Sequence, residues 1–431
     1  MKKRPRRKKT GLLLLVAFFL LLGGVAFWFL KDDPPPDDAD LRIPYKEIPD
    51  EENAFTYFNK AIGELHNPST EEKEQFYAIL DGESWDEAFV EAFLAKNGRW
   101  CEYIEEGLRC AQCRLPEMTS ADTFLPHLAP WRQMARLSSV RALYLSKTGK
   151  EQEALDECMR TITFARRIEN SRGCLIVYLV GRAVEEIGLG QFRSLLAQTT
   201  LPAEALAPYI RRLSAYPFNK EPLADTFKTE YTYIAMVLDE IATGSYLWYA
   251  SRPPSTLERI KTPFVFKPNR TKRIIAKNIR LLLKQVHKPY AKMHHPTYPA
   301  YATRSSKLKL WLSGNAEGEK LAYMTLSSFP RVLTLKCCAN GSIRAIQILI
   351  ALKCYKQKTG DLPDSLDELV PEYLTEIPLD DFDGKPMKYS KKNKVVYAVG
   401  TDLVDNGGVS NLDRENINPD PGYDFIFKIN F

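Results

Sequence analysis

Histidine is scarce in this chain: five in 431 residues, His66, His127, His287, His294 and His295. None stands in a His-Glu-x-x-His pattern, and a Gly-x-Ser-x-Gly elbow, a phosphate-binding loop and a dinucleotide glycine pattern are all missing. Those absences remove the signatures of zinc peptidases, α/β-hydrolases, nucleotide hydrolases and nicotinamide enzymes. Met293-His294-His295-Pro296 lies near Tyr298 and Tyr301, but adjacent loop histidines without placed carboxylates do not specify a transition metal. Ser306-Lys307-Leu308-Lys309 has Ser-x-x-Lys spacing without the companion motifs that spacing needs in penicillin-binding proteins. No nucleophile, base and orienting group can be assembled by spacing, so no catalytic residue is assigned.

Charge is missing in three places. Met1–Thr10 carries seven basic residues and no acid, and Gly11–Leu30 carries no charge at all. Twenty apolar residues are long enough as a helix to cross a ~30 Å hydrocarbon core. The basic cluster then marks the cytoplasmic side, which puts Lys31 onward outside. A cleaved secretory signal is the rival reading, with Gly24-Val25-Ala26 as the cleavage site. The apolar run continues past it through Phe27-Trp28-Phe29-Leu30, longer than the usual secretory core of ~7–15 residues. The third place is Arg252–Leu310, with fifteen Lys/Arg against the single acid Glu258. The rest of the chain is therefore acidic, and the net charge of +6 hides strong segregation.

A composition 45% apolar and 26% charged is that of a globular protein. About 400 residues beyond the apolar span suffice for two or three domains. Eight cysteines in an oxidising compartment permit disulfides. Cys110-Ala-Gln-Cys113 has C-x-x-C spacing, but no second Cys or His pair lies at zinc-ligand distance in sequence. Trp100–Arg114 reads as helix, so the pair is expected to be buried in helix packing.

The expected fold is mainly α: a multi-helix ectodomain of hairpins, weakly tetratricopeptide-like, with a small α+β lobe at the C-terminus. The expected divisions are a basic stub (1–10), an anchor (11–30), an acidic, proline-rich stalk (31–50), a helical domain (51–332) with a sub-boundary near 215–268, and a lobe (333–431). Apolar residues at a helical period run through Ala54-Tyr57-Phe58-Ala61-Ile62 and Ala135-Leu137-Val140-Leu143-Leu145, and recur along Leu175–Leu196. Lys147-Thr-Gly-Lys150 joins two helices; no further copy at a ~34-residue period appears, so a single hairpin is expected rather than a solenoid. Lys31–Asp40, with three consecutive prolines among acids, reads as an extended stalk holding the body off the membrane.

Between Asn269 and Lys288 the cations Arg273, Lys277, Arg280, Lys284 and Lys288 recur at helical spacing, with Ile275, Ile279, Leu282, Leu283 and Val286 largely opposite. Such a face can rest on anionic lipid or an anionic envelope polymer. It can equally be the solvated side of a bundle helix, balanced by the acidic remainder of the chain. Nucleic acid would suit the charge, but the expected topology excludes it as a partner.

Ala351–Gly408 carries a family likeness. A helix ends in Lys-Thr-Gly and a Leu-Pro-x-Ser-Leu turn follows. Asp380, Phe382, Gly384, Pro386 and Tyr389 then fall in the order Asp, aromatic, Gly, Pro, Tyr. Tyr397-Ala398-Val399-Gly400-Thr401-Asp402 precedes Leu403, and Asp424 precedes an apolar strand. The segment resembles the C-terminal lobe of the type II secretion major pseudopilin, in which the position of Asp381 is proline and that of Leu403 glycine. The resemblance implies calcium between two loops, with Asp402, Asp405 and Asp424 as ligands and Asn406 and Asp413 as further candidates; the alternative is that these residues bond their own turns. No pilin processing site precedes the apolar span, and some 300 residues separate it from the lobe, so fibre assembly is not expected. The whole layout resembles single-pass bacterial envelope proteins of no assigned biochemistry. The expected function is binding or scaffolding on the periplasmic face of the cytoplasmic membrane, with another envelope protein as a partner. The alternative is a hydrolase or metal-dependent enzyme acting on envelope polymers.

Overall fold

The computed structural model of the chain describes residues 6–215, 222–245, 255–294, 313–409 and 422–431. Arg6–Leu30 is one continuous helix, α1. Its 25 residues reach about 37 Å at 1.5 Å each. Leu13, Phe19 and Leu20 in its apolar stretch are 62–71% exposed.

Four short helices follow: α2 (Ala54–Gly63), α3 (Thr70–Leu80), α4 (Glu87–Lys96) and α5 (Trp100–Arg109). Side-chain caps satisfy the free N–H groups that begin three of them. Asn53 accepts from Phe55 N–H, Ser69 and Glu72 form a reciprocal capping box, and Asp86 accepts from Phe89 N–H. Phe58, Phe76, Phe93 and Trp100 bury these helices against α6 (Leu128–Lys147) and α7 (Glu151–Glu169). The α6–α7 hairpin turns at Gly149, whose φ of +82° is one glycine adopts without strain. Helix α5 ends at Arg109, short of the predicted Arg114, because residues 110–114 turn back to bond Asn53 beside α2.

Helix α8 (Leu175–Gln198) lies against α7 so closely that a Cβ on Gly181 would fall 2.7 Å from Glu169 Cγ. That contact is ionic. Glu169 and Glu185 are buried between Arg166 and Arg182, with Arg166 Nε 2.5 Å from Glu185 and Arg182 Nη1 2.9 Å from it. Then come α9 (Ala203–Ser214), α10 (Pro222–Thr243), α11 (Thr256–Val265), α12 (Pro268–Leu283), α13 (Ala316–Leu326) and α14 (Phe329–Thr359). The stretch 316–359 is long and apolar enough to cross a membrane, yet it is mostly buried inside the protein. Helix α14 is buried along most of its length because α8, α9 and the lobe cover it.

Gly360 (φ +89°) terminates α14, and Ser365 and Glu368 cap the next turn. Three antiparallel strands follow in the order β1 (Lys388–Ser390), β2 (Val395–Ala398), β3 (Phe425–Lys428). Strand alternation divides them: Val396, Ala398, Phe425 and Phe427 join the main core, while Val395, Tyr397 and Ile426 form a small cluster of their own. The chain is thus mainly α with a small α+β lobe. One buried cluster runs unbroken from Leu41 through Phe192, Phe227 and Ile346 to Phe427. The expected boundary at 332/333 falls inside α14.

The acidic segment differs from the stalk expected. Asp32 accepts from the N–H groups of Asn269 and Arg270 at the start of α12, and Arg270 pairs with Asp33. Arg273 donates to Pro34 O, Arg280 pairs with Asp40, and Tyr231 OH donates to Asp38. Leu41 is fully buried. Opposite charges that lie some 240 residues apart in sequence bring residues 32–41 onto α12, so the segment lies along the body.

Candidate functional site

Between the first helices and α10 lies a cavity of about 280 Å³, close to the lower end of the ~300–1,000 Å³ usual for small-molecule sites. Its walls come from five places in sequence: Pro44 and Tyr45, α2 through Phe55 and Asn59, the connection between α5 and α6, the start of α8, and α10. Most of the lining is apolar, including Met118, Leu125, Val177 and Phe124, which is 81% exposed at the site. The connection is held in place by backbone and buried amide bonds. Asn53, the cap of α2, accepts from Arg114 N–H at 2.8 Å and donates to Arg114 O at 2.9 Å, and Tyr233 OH donates to Ala121 O at 2.8 Å.

Among the polar side chains on this surface, Arg172, Arg114, His127 and Cys174 bear on its chemistry, beside Glu117, Asn59 and several hydroxyls. Arg172 is paired with Asp225 at 2.9 Å. Arg114 has no ion pair among the described residues, and its buried Nε has no protein hydrogen-bond partner. Burial, and then the charge of Arg172, pulls its pKa below the ordinary arginine value. His127 packs at a tilt against Trp131 and edge-on to Phe55; its Nε2 is likewise buried without a partner, and burial pulls its pKa down to about 4. Cys174 is a buried thiol pushed up to about 11 by burial. At neutral pH the cavity therefore presents the Arg114 guanidinium without a salt bridge, a neutral imidazole and a protonated thiol, with the exposed Glu117 also on its wall. Such a surface can hold an anion attached to an apolar body, and it offers no activated nucleophile.

The residues singled out in the sequence lie elsewhere. In the lobe, Asp424 is buried and accepts from Asn406 and Gly408 N–H; burial first, then the charges of Asp405 and Asp402, raises its pKa. Asp405 accepts from Gly407 N–H and Tyr397 OH, and Asp402 from Val404 and Gly422 N–H. The three carboxylates are neighbours: Asp405 and one oxygen of Asp402 accept from N–H groups two residues on, as turn-forming aspartates do, while Asp424 and the other oxygen of Asp402 bond the backbone of the opposite loop. Asp413 lies outside the described residues. Leu403, where the pseudopilin pattern has glycine, has φ +61°, in the left-handed region that favours glycine. Asp381, where that pattern has proline, pairs with Lys336 (3.0 Å) and Arg344 and accepts from Asn340, three residues on one face of α14.

Comparison of the chain with family models, curated proteins and solved structures gives no match.

On α12, Arg273 and Arg280 are engaged by the acidic segment, while Lys277 and Lys284 are exposed and Lys288 reaches Gln285 Oε1 at 3.3 Å. All eight cysteines are free thiols. Cys110 and Cys113 are buried, and burial raises both, Cys113 to about 12, which keeps them protonated and inert. His294 lies in an irregular segment; His295, Tyr298, Tyr301 and Ser306 to Lys309 fall outside the described residues. Sequence reasoning missed the cavity because its walls are brought together only by tertiary packing. Leu115-Pro116 and Leu125-Pro126-His127, apolar residues in a connection rather than a helix, were the one local signal.

Proposed function

We propose that this is a single-pass membrane protein of the bacterial envelope, with α1 in the cytoplasmic membrane and the helical body outside the cytoplasm. The body acts as a binding protein for a small amphiphile that carries an anionic group on an apolar skeleton. The observation that carries this reading is Arg114, a guanidinium at the wall of a largely apolar cavity, with no salt bridge among the described residues and a buried Nε without a protein hydrogen-bond partner. A partly buried charge without an ion pair is costly, and a carboxylate or phosphate from a ligand would offset that cost through a charge-assisted bond. The protonation states of His127 and Cys174 favour binding over catalysis in this cavity, since a thiol–imidazole pair would need both shifted the other way.

Titration of the full-length protein in detergent with decanoate, decyl phosphate and decanol tests the reading. The two anions should bind, the alcohol at least about tenfold more weakly, and Arg114→Gln should bring all three to a common low affinity. Equal binding of the alcohol and the acids, or no effect of Arg114→Gln, would overturn it. Comparing decanoate with decyl phosphate separates a carboxylate ligand from a phosphate one. Topology has its own test: an alkaline phosphatase fused at the C-terminus should be active and stay with the membranes.

A further inference from the structure

Helix α11 buries none of its ten residues. A helix of this length has no intrinsic reason to persist in water, since isolated helices below about 12–15 residues are marginal. Its capping box, Ser255 with Glu258, defines its start. Leu257, Ile260 and Phe264 are 59%, 60% and 42% exposed, and their spacing of three and four places them along one face. Lys261 borders that face and Arg259 lies on the far side. This is the pattern of a helix that lies in a membrane surface, apolar residues down and basic residues at the headgroups.

What covers that face is indicated by the position of α1. The two helices pack against each other. Two residues beyond the end of α1, Asp32 accepts from Asn269 and Arg270 N–H, at the first turn of α12 and only a few residues after α11 ends. The exit of α1 and the end of α11 are therefore held at one level by side-chain and backbone bonds. If α1 is in the bilayer, its exit is at the outer headgroups, and α11 is there with it.

We infer that α11 is an interfacial helix, seated on the outer surface of the membrane beside α1, with Leu257, Ile260 and Phe264 in the upper acyl region and Lys261 among the phosphates. The inference rests on the anchored topology proposed above. It implies that the protein is fixed to the membrane at two adjacent points, so the body has a set orientation instead of swinging on a tether.

The test uses the full chain in proteoliposomes. The native cysteines are buried, apart from the half-buried Cys101, so single exposed cysteines can be labelled with an environment-sensitive dye. Labels at Ile260→Cys in α11, Phe18→Cys in α1 and Glu91→Cys on α4 are each exposed to lipids bearing a nitroxide high on the acyl chain. Quenching at Ile260→Cys within about twofold of that at Phe18→Cys, with Glu91→Cys unquenched, is the expected result for an interfacial helix. Quenching at Phe18→Cys with none at Ile260→Cys would overturn the inference and leave the anchor standing. No quenching at either position would overturn the anchor itself, and α11 with it.

Discussion

Arg280 holds Asp40 through two parallel hydrogen bonds, Nη2 to Oδ1 at 2.6 Å and Nε to Oδ2 at 2.9 Å, across 240 residues of chain. The pair is the outermost link of the seam that ties the segment after α1 to α12. Both side chains are partly exposed, so each such pair is worth only about 0.5–1 kcal/mol. Arg280→Glu should therefore lower stability by about 1 kcal/mol and speed proteolysis within residues 31–40. Adding Asp40→Arg should recover about half of the loss, because the bidentate geometry is not reproduced by the swap. Equal melting of the single and double variants would show that the seam does not depend on this pair.

A second ion pair fixes the lobe. Asp381 lies between Lys336 and Arg344 on α14 and is mostly buried, as they are. Removing it strands two buried cations, a loss that usually costs about 3–5 kcal/mol. Asp381→Ala should cost about 3 kcal/mol by denaturant midpoint. Adding Lys336→Met and Arg344→Met to that variant should recover most of the loss, since no buried charge is then left unpaired. A loss below about 1 kcal/mol for Asp381→Ala alone would mean that water reaches the site and screens it.

The helices were legible in the sequence and their partners were not. Ala135 to Leu145 and the glycine of Lys147-Thr-Gly-Lys150 specified the α6–α7 hairpin, because a 3.6-residue apolar period and a left-handed turn are local properties. Gly360 and Ser365 likewise marked the entry to the lobe. Three features failed that test of locality. The acidic run 32–40 reads as a solvated stalk until α12 is placed beside it. The five cations from Arg273 to Lys288 look alike in sequence, but of these only Arg273 and Arg280 meet that run. Arg114 is an ordinary loop arginine until Asn53, Arg172 and His127 surround it.

Three buried titratable groups give the stability a distinctive dependence on pH. Loss of hydration pushes Glu185 up to about 7, outweighing Arg166 and Arg182 beside it. The folded state then keeps a proton that the unfolded chain releases above about pH 4.5, so this contribution is largest in acid and is lost as pH rises through 7. Asp380, raised to about 6 by burial, acts in the same sense. His127, pulled down to about 4 by burial, acts in the opposite one: the unfolded chain protonates first, and stability falls as pH drops from about 6.5 towards 4. Between pH 4.5 and 6.5 the slopes oppose each other. His127→Phe, which keeps an aromatic ring against Trp131, should reveal stability rising toward acid, and Glu185→Gln should shift the slope the other way. Urea midpoints across that range decide it; parallel profiles for all three proteins would remove both assignments.

Leu403 carries the last prediction. Its φ of +61° places an ordinary side chain where only glycine is at ease, at a cost of about 1–2 kcal/mol. The position is the one where the pseudopilin pattern has glycine. Leu403→Gly should raise stability by about 1 kcal/mol, less whatever entropy the freer unfolded chain gains. Its half-exposed side chain has little packing to lose. Calcium in the adjoining loops is a separate proposal that rests on the resemblance, and the same melts address it. With Asp402, Asp405 and Asp424 bonding backbone N–H groups, the full-length protein should melt at the same temperature in millimolar calcium and in chelator. A rise with calcium that Asp402→Ala abolishes, in the wild-type and the Leu403→Gly background alike, would instead establish the ion, because metal held only by the folded state must stabilise it.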